Sequence, residues 1–370
     1  MTRLSRAETQ ERNRAKVLTA ARAEFTARGY RDAKIDEIAD RASLTRGAVY
    51  SNFPSKRALY FAVLADSSMP PPDFPSLGDT RRSALGALAR AWVARLETPE
   101  AQLGASLLAE VQASEQTRVP FTRLLALDAL LLGVALERLE PPPPGTRLTR
   151  LATTAMTLLQ GARSLSSAAP GLVEPFDVVS ACEALATLNL NDWWPPPRVV
   201  PPTAVLDEPW SPPAFLDLVT DEPVAPGPDG VVAVLGLHRL PAAEEAIRAA
   251  RAPVTVVMVT SEPLELAALA RLVVTELAGC LRQAFPRSAW PAVRVVCDEG
   301  GVAAAAGVPS VSDGTEVAVR VSAGRLVGRA EGPGACHAAA TMDLTETRDA
   351  KRASTRARTN DSDSRSDGES

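Results

Sequence analysis

Cysteine and histidine are scarce in this chain of 370 residues, which contains four cysteines and two histidines. Disulfide frameworks, zinc sites and thiol–disulfide active sites all need such residues at close, regular spacing, and no CxxC pair occurs. We therefore expect no metal, no cofactor, no catalytic residue and buried, inert thiols. The residues concerned are Cys182, Cys280, Cys297, Cys336, His238 and His337.

Long apolar runs are also missing. The N-terminus is charged and lacks the apolar core of a secretory signal. The most apolar stretch, residues 124–136, is shorter than the roughly 20 residues of a membrane span and contains Asp128. These absences lead us to expect a reduced, cytoplasmic protein that contacts no membrane.

Positive charge, by contrast, is concentrated at one end of the chain. Residues 1–60 contain thirteen Lys or Arg and seven Asp or Glu, a net charge of +6, whereas the whole chain has a net charge of −4. Such a local excess of positive charge is typical of a segment that binds a polyanion.

Residues 45–56 predict a short helix presented for contact with nucleic acid. Thr45 suits the N-cap position, and Val49 and Phe53 supply a small apolar face. Pro54 ends the helix, and Ser55 can cap the next one. The side chains left to point outward are those of Arg46, Tyr50, Ser51 and Asn52.

Two cations, Lys56 and Arg57, open the following helix. The positive end of the helix dipole disfavours cations at that place. Their presence indicates that an anion lies nearby.

The upstream residues complete a helix-turn-helix pattern. Residues 9–28 have helical apolar spacing and end at Gly29, and Asp36 and Glu37 suit the first turn of a second helix. Residues 42–45 leave room only for a tight turn before the short helix described above. This order predicts that the second short helix is the one that reads DNA.

Several short motifs in this region fall in one register. They are Ala20 and Ala21, Phe25, Gly29 and Tyr30, residues 35–39, 47–50 and 53–56, and Ala58 and Leu59. With them, residues 14–64 resemble the DNA-binding domain of the TetR/AcrR (tetracycline-repressor) family of bacterial regulators. Ser43 departs from the pattern, because the family usually has glycine there. If its φ is positive, serine costs about 1 kcal/mol.

The resemblance implies a homodimeric repressor that binds double-stranded DNA at an inverted repeat and releases it when a small-molecule effector binds. Tyr50 and Lys56 would hold the phosphate backbone. The residues nearest bases or phosphates would be Thr45, Arg46, Ser51 and Asn52. The DNA-binding residues implied are Thr45, Arg46, Gly47, Ala48, Tyr50, Ser51, Asn52 and Lys56.

Residues 80–192 are helical in pattern, with predicted helices at 81–97, 101–114, 121–139, 147–166 and 176–191. The resemblance implies a ligand-binding and dimerisation domain here, although no polar residue marks a ligand site. Its last two helices would pair with their copies in a second subunit, unless their apolar residues are simply core. The pairing side chains would be Leu148, Leu151, Met156, Leu159, Val178, Cys182, Leu185 and Leu188.

The remaining sequence is not helical in character. Residues 193–230 contain eleven prolines and are expected to form a linker. Residues 231–342 predict the order βαβαβαββ with a closing helix, which resembles the thioredoxin fold and equally fits a generic α/β sandwich. Residues 261–264 carry no cysteine where that family has its pair. The tail, residues 343–370, is expected to be disordered.

Together these patterns predict a multi-domain protein: an all-α helix-turn-helix domain at 1–68, a helical domain at 80–192, and a thioredoxin-like α/β domain that folds alone. The preferred function is a DNA-binding transcriptional regulator with no enzymatic activity. Two alternatives stay open. One is a redox sensor or enzyme-like module fused to a DNA-binding domain, and the other is a scaffold that docks another protein through its C-terminal domain.

Overall fold

The computed structural model describes residues 5–66, 77–96, 98, 103–224, 229–299 and 301–343. The predicted disordered tail lies outside the described residues from residue 344 onward. The described chain begins with a helical half and continues into a half built on a β-sheet.

Four helices form the N-terminal unit. A capping box joins Ser5 and Glu8 at the start of the first helix, and Gly29, with φ 71°, interrupts that helix at the predicted stop. The helices are α1 Arg6–Asp32, α2 Ile35–Ala42, α3 Arg46–Asn52 and α4 Lys56–Asp66.

The turn between α2 and α3 confirms the expected strain at Ser43. Its backbone is left-handed, with φ 55° and ψ 46°. The Ser43 N–H donates to the Asp40 carbonyl, and the Leu44 N–H donates to the Ala39 carbonyl at 2.9 Å, so the turn is well bonded. Serine therefore adopts the conformation that glycine adopts without cost.

Five helices follow, as predicted, although residues 97 and 99–102 lie outside the described part. The 25-residue α7 is long and apolar enough to span a membrane, and 72% of its most apolar window is buried inside the protein. The helices are α5 Arg81–Val93, α6 Leu107–Gln112, α7 Glu115–Leu139, α8 Thr149–Ala168 and α9 Pro175–Leu185.

Most of the side chains assigned to a dimer interface lie instead inside one chain. α9 packs on α5, and α8 packs on α7, so the apolar residues at helical spacing face inward. Leu188 is exposed and Leu185 is half-buried. The six that are buried are Leu148, Leu151, Met156, Leu159, Val178 and Cys182.

The second half contains a six-stranded sheet in the order β1-β8-β7-β4-β5-β6. β4, β5 and β6 are parallel, and the other neighbours are antiparallel. The strands are β1 Ala204–Pro209, β2 Phe215–Asp217, β3 Glu222–Val224, β4 Gly230–Gly236, β5 Val254–Val259, β6 Val293–Cys297, β7 Glu316–Ser322 and β8 Arg325–Glu331. The helices are α10 Ala243–Ala249, α11 Ala268–Ala284, α12 Val302–Ala305 and α13 Ala335–Thr341.

From β4 onward the elements follow the predicted order. The predicted hairpin is confirmed, with Ala323 and Gly324 at φ 50° and 69° between β7 and β8. This order establishes a mixed-sheet α/β half. The more specific thioredoxin-like assignment is not confirmed, because a generic α/β sandwich has the same order.

The segment predicted as a linker belongs partly to the sheet. β1 pairs with β8, and the β2–β3 hairpin covers the outer edge of β6. There, the Leu218 N–H donates to the Val295 carbonyl at 2.8 Å, and the Val295 N–H donates to Asp217 Oδ1 at 2.9 Å. An edge strand needs such cover to avoid pairing with another chain. Because the segment is rich in proline, its sequence predicted neither the pairing of β1 with β8 nor the covering of β6 by the β2–β3 hairpin.

The two halves share one apolar core. α11 belongs to the α/β half, yet it packs against α4, α5 and α7 of the helical half as well as against the sheet. Eleven of its 17 residues are buried, among them Leu269, Val273 and Leu277, and its exposed side is limited to a polar strip that includes Arg271. A helix with so wide an apolar surface is stable only when most of its circumference is covered. The expectation that the α/β half folds alone is therefore revised.

A buried carboxyl group lies beside this shared core. Asp128, on α7, is 1% exposed, and its Oδ1 has no hydrogen-bond partner among the described residues. Burial, and secondarily the charge of Glu276 on α11, raises the pKa of Asp128 well above its usual range. Glu276 is itself paired with Arg163, whose guanidinium lies over the Trp92 ring.

Replacing Ser43 with glycine should stabilise the protein by about 1 kcal/mol, because the left-handed backbone of Ser43 costs serine about that much. Urea unfolding monitored by circular dichroism measures the change. Ser51→Gly is the matched control inside α3, where glycine should lower stability by a few tenths of a kcal/mol. A destabilised Ser43→Gly variant would contradict the assignment of strain to this turn.

Asp128→Asn should stabilise the protein at neutral pH. The folded-state pKa is raised, so the folded protein holds the proton more tightly. The stability contributed by Asp128 is lost as pH rises from the unfolded pKa, near 3.9, toward the folded pKa. The stability difference between variant and parent should therefore widen by about 1.4 kcal/mol per pH unit across that window. A difference that stays constant between pH 4.5 and pH 7.5 would show that Asp128 is ionised in the folded state.

Candidate nucleic-acid interface

α3 is fixed to the N-terminal unit by its ends and its apolar face. Thr45 accepts a hydrogen bond from the Ala48 N–H at 3.2 Å, as predicted for an N-cap. Val49 and Phe53 are each 1% exposed and anchor the helix. Its opposite face is left in solvent.

Five of the eight predicted contact residues are exposed on that side of α3. The Arg46 side chain is exposed, pairs with Asp36 at 3.3 Å, and has its guanidinium 5.6 Å from the centre of the Tyr50 ring. Tyr50 is 39% exposed. Ser51 is exposed, and its hydroxyl donates to the Ala48 carbonyl. Thr45 and Gly47 are also exposed, so the start of α3 presents polar groups and open backbone.

Asn52 does not point outward as expected. It is only 8% exposed, and its Nδ2 donates to the Ala48 carbonyl at 2.8 Å. The last turn of α3 is turned toward the unit because Phe53, the next residue, inserts into the core. Ala48 is half-buried on the same side.

Lys56 is held by its own chain. Its Nζ donates to the Arg31 carbonyl at 3.0 Å and lies 4.7 Å from the centre of the Tyr30 ring. A cation is favoured there because carbonyl groups at the end of α1 carry partial negative charge. Burial lowers the pKa of Lys56. The predicted phosphate contact therefore requires the side chain to leave this position, or to reach phosphate from it.

Two further cations lie near α3, of which Arg57 was noted in the sequence and Arg14 was not. Arg14, on α1, lies over the Phe53 ring with its guanidinium 4.7 Å from the ring centre. Arg57 pairs with Glu265 at 2.6 Å, so the anion expected at the start of α4 comes, for Arg57, from the α/β half. Arg57 and Glu265 are 208 residues apart in the sequence, so no local pattern could predict that they pair.

α1 and α2 are joined by a buried carboxylate. Glu24 is fully buried, and its two oxygens lie 3.1 Å from Arg28 and 3.3 Å from Arg41. Arg28 belongs to α1 and Arg41 to α2, so Glu24 ties the two helices that support α3. The arrangement of α1 to α3, with the solvent face of α3 outermost, is that of a helix-turn-helix unit.

Comparison with known proteins identifies the family of this unit. Residues 17–63 match the family described as "Bacterial regulatory proteins, tetR family". The N-terminal unit is therefore a TetR-family helix-turn-helix domain.

Curated relatives match over the same region. The chain is 43% identical over 70 residues to the HTH-type transcriptional regulator SrpR of Pseudomonas putida, covering 19% of this chain and 32% of SrpR. It is 46% identical over 55 residues to the HTH-type transcriptional activator FasR of Mycolicibacterium smegmatis, covering 15% and 25%. The chain thus spans about a third or less of the length of these two relatives.

Solved structures align with about half of the chain. NalD of Pseudomonas aeruginosa, described as the secondary repressor of a multidrug efflux pump, aligns at 23% identity and a TM-score of 0.34. A TetR transcriptional regulator from Rhodococcus sp. RHA1 aligns at 20% identity and a TM-score of 0.34. Each alignment covers 48% of this chain and 95% of the other.

Proposed function

We propose that the protein is a cytoplasmic transcriptional repressor that binds an inverted-repeat operator as a homodimer and responds to a small molecule. The observation that supports this most is the solvent face of α3, with Arg46, Tyr50 and Ser51 presented from a basic unit of the TetR family. An α-helix of this kind fits the major groove of B-DNA. A promoter–reporter assay tests whether the protein represses or activates transcription.

The thiol-sensor alternative has little chemical support. Cys182, Cys280 and Cys336 are buried, and Cys297 is half-buried. Burial raises the pKa of Cys280 and of Cys297 to about 11. Reactive thiols need the opposite environment, one that favours the thiolate at neutral pH. The four thiols are therefore assigned structural roles.

A dimer interface is proposed on the exposed side of α8 and α9. Leu165 on α8 is 46% exposed, and Phe176 on α9 is 78% exposed. Leu188, which follows the end of α9, is 45% exposed. A Cβ at Gly161 would meet nothing within 4 Å, so a second helix can approach α8 closely there. Pairing α8 and α9 with their copies would bury this surface in a four-helix bundle. The effector would bind in the helical half, where no residue is assigned to it.

Arg46→Ala should change which DNA sequence is preferred, because an exposed arginine at the start of a recognition helix suits a bidentate contact with guanine, worth about 1–3 kcal/mol. Lys56→Ala should instead weaken binding to all sequences and lower the slope of log K against log salt by about one unit. Selection from random duplexes, followed by titrations at several salt concentrations, measures both effects.

Arg198→Ala is the control for these two variants, since Arg198 is an exposed cation far along the chain from α3. It should leave sequence preference and salt slope unchanged. The proposed function would be refuted if the parent protein enriched no sequence, or if it enriched only sites without two-fold symmetry.

Leu165→Glu should convert the dimer to a monomer, because it places a carboxylate without a partner in the apolar interface, at a cost of several kcal/mol. Leu216→Glu on β2 is a matched control, since Leu216 is also 46% exposed. Light scattering of the full chain at micromolar concentration measures the mass. The full chain is needed because truncation would uncover the surface on which α11 packs. If the Leu165→Glu variant remained a dimer, the interface would have to lie on another surface.

A further inference from the structure

The start of α4 is bonded to the α/β half through one carboxylate. Glu265 accepts a hydrogen bond from Arg57 Nε at 2.6 Å and from the Ser55 hydroxyl at 3.0 Å. The side chains of Arg57 and Glu265 are 22% and 14% exposed. Both oxygens of Glu265 are thus engaged at a site that is largely closed to water, where charged hydrogen bonds are stronger than at the surface.

Ser55 also caps α4. Its Oγ accepts a hydrogen bond from the Ala58 N–H at 2.9 Å while its hydroxyl hydrogen goes to Glu265. The carboxylate therefore lies next to the positive end of the α4 dipole, a favourable place for an anion. It offsets the two cations that the first turn of α4 would otherwise hold unfavourably.

The rest of α4 is packed too tightly for this helix to move independently of its neighbours. Every residue from Ala58 to Leu64 is buried. α1 packs on one part of its surface, and α11 and the turn before it pack on another. Only Phe53, Pro54 and Ser55 separate α3 from α4, and Phe53 is locked in the core. The position of the first turn of α4 therefore fixes the position of α3.

Glu265 lies in an unusual turn of backbone. Pro263–Ala267 is a π-helical turn that leads directly into α11. Such turns are rare and often occur where a helix has a functional role. The turn begins four residues after the end of β5, and next to it Ser261 donates a hydrogen bond to Asp313 at 2.7 Å. A movement at this edge of the sheet is thus carried to Glu265 over a few residues.

We propose that Glu265 is a positioning residue for DNA binding: through Arg57 and Ser55, the α/β half holds α4 and so sets the placement of the recognition helix. This inference rests on the proposed function for its consequence on DNA, and on the contacts above for its mechanism. It gives the α/β half a role in regulation, because a ligand or partner that shifts α11 would also shift α3.

The mechanism is tested without DNA by spin-label distance measurements between α3 and the α/β half. Labels are placed at Ser51→Cys and Leu216→Cys in a Cys297→Ser background, since Cys297 is the one partly exposed native thiol. Labelled chains are diluted with unlabelled ones so that only distances within a chain are read. Glu265→Gln should broaden or shift the distance distribution. Glu262→Gln, an exposed carboxylate three residues away, should leave it narrow.

The consequence for DNA is tested with inverted repeats that share one half-site and differ in spacing. The parent should prefer one spacing. Glu265→Gln should lose about tenfold affinity at that spacing while its affinity for an isolated half-site stays within twofold. In an Arg57→Ala background, Glu265→Gln should have a smaller effect than in the parent, because the contact with Arg57 is already lost and only that with Ser55 remains.

An unchanged distance distribution in a folded Glu265→Gln variant would overturn the inference. So would an equal change in affinity for all duplexes, which would mean that Glu265 acts on phosphate binding alone. A parent protein that binds no duplex would refute the proposed function, and the distance measurement would still decide whether Glu265 holds α3 in place.

Discussion

The structure depends on the burial of one helix, α11. Its buried residues cover most of its circumference and leave only a polar strip that includes Arg271, so it needs partners on several sides. The sheet supplies one side, and α4, α5 and α7 supply the others. Burying a leucine or valine fully contributes about 1.5–3 kcal/mol. Separating the two halves would expose several such residues at once on α11 and on the helices it covers.

Ion pairs surround this apolar contact and fix its geometry. Glu265 reaches Arg57 at the start of α4, Glu276 reaches Arg163 on α8, and Arg248 on α10 reaches Glu137 on α7. Pairs of this kind add little net stability once desolvation is counted, but removing one partner leaves a buried charge. Their effect is to specify one arrangement of the halves. The DNA-binding unit is thereby joined to the α/β half through α4.

The local features of the fold could be predicted from the sequence. The caps, the helix stop and the hairpin turn depend on neighbours a few residues away, so the local sequence predicts them. The residues concerned are Thr45, Ser55, Gly29 and Ala323. Longer-range features were not. Apolar spacing in residues 147–191 shows that these helices have a buried face, but not whether the partner is in the same chain. The pairing of Glu265 with Arg57 and the place of β1 in the sheet depend on packing between distant segments.

Within the candidate interface, the exposed half of α3 was predictable and the inward half was not. Arg46, Tyr50 and Ser51 are exposed, as the pattern predicted. Asn52 instead donates to the Ala48 carbonyl, and Lys56 donates to the Arg31 carbonyl. These bonds depend on how α1 ends and how Phe53 inserts, neither of which is visible in residues 45–56 alone.

Native-state hydrogen exchange in low urea tests the shared core most directly. The best-protected amides of α7 and of β5 should open with the same free energy and the same dependence on urea, because one cooperative unit contains both. If the amides of β5 opened at lower free energy and with a smaller urea dependence than those of α7, the α/β half would unfold by itself. The account of α11 as a core shared by both halves would then be contradicted.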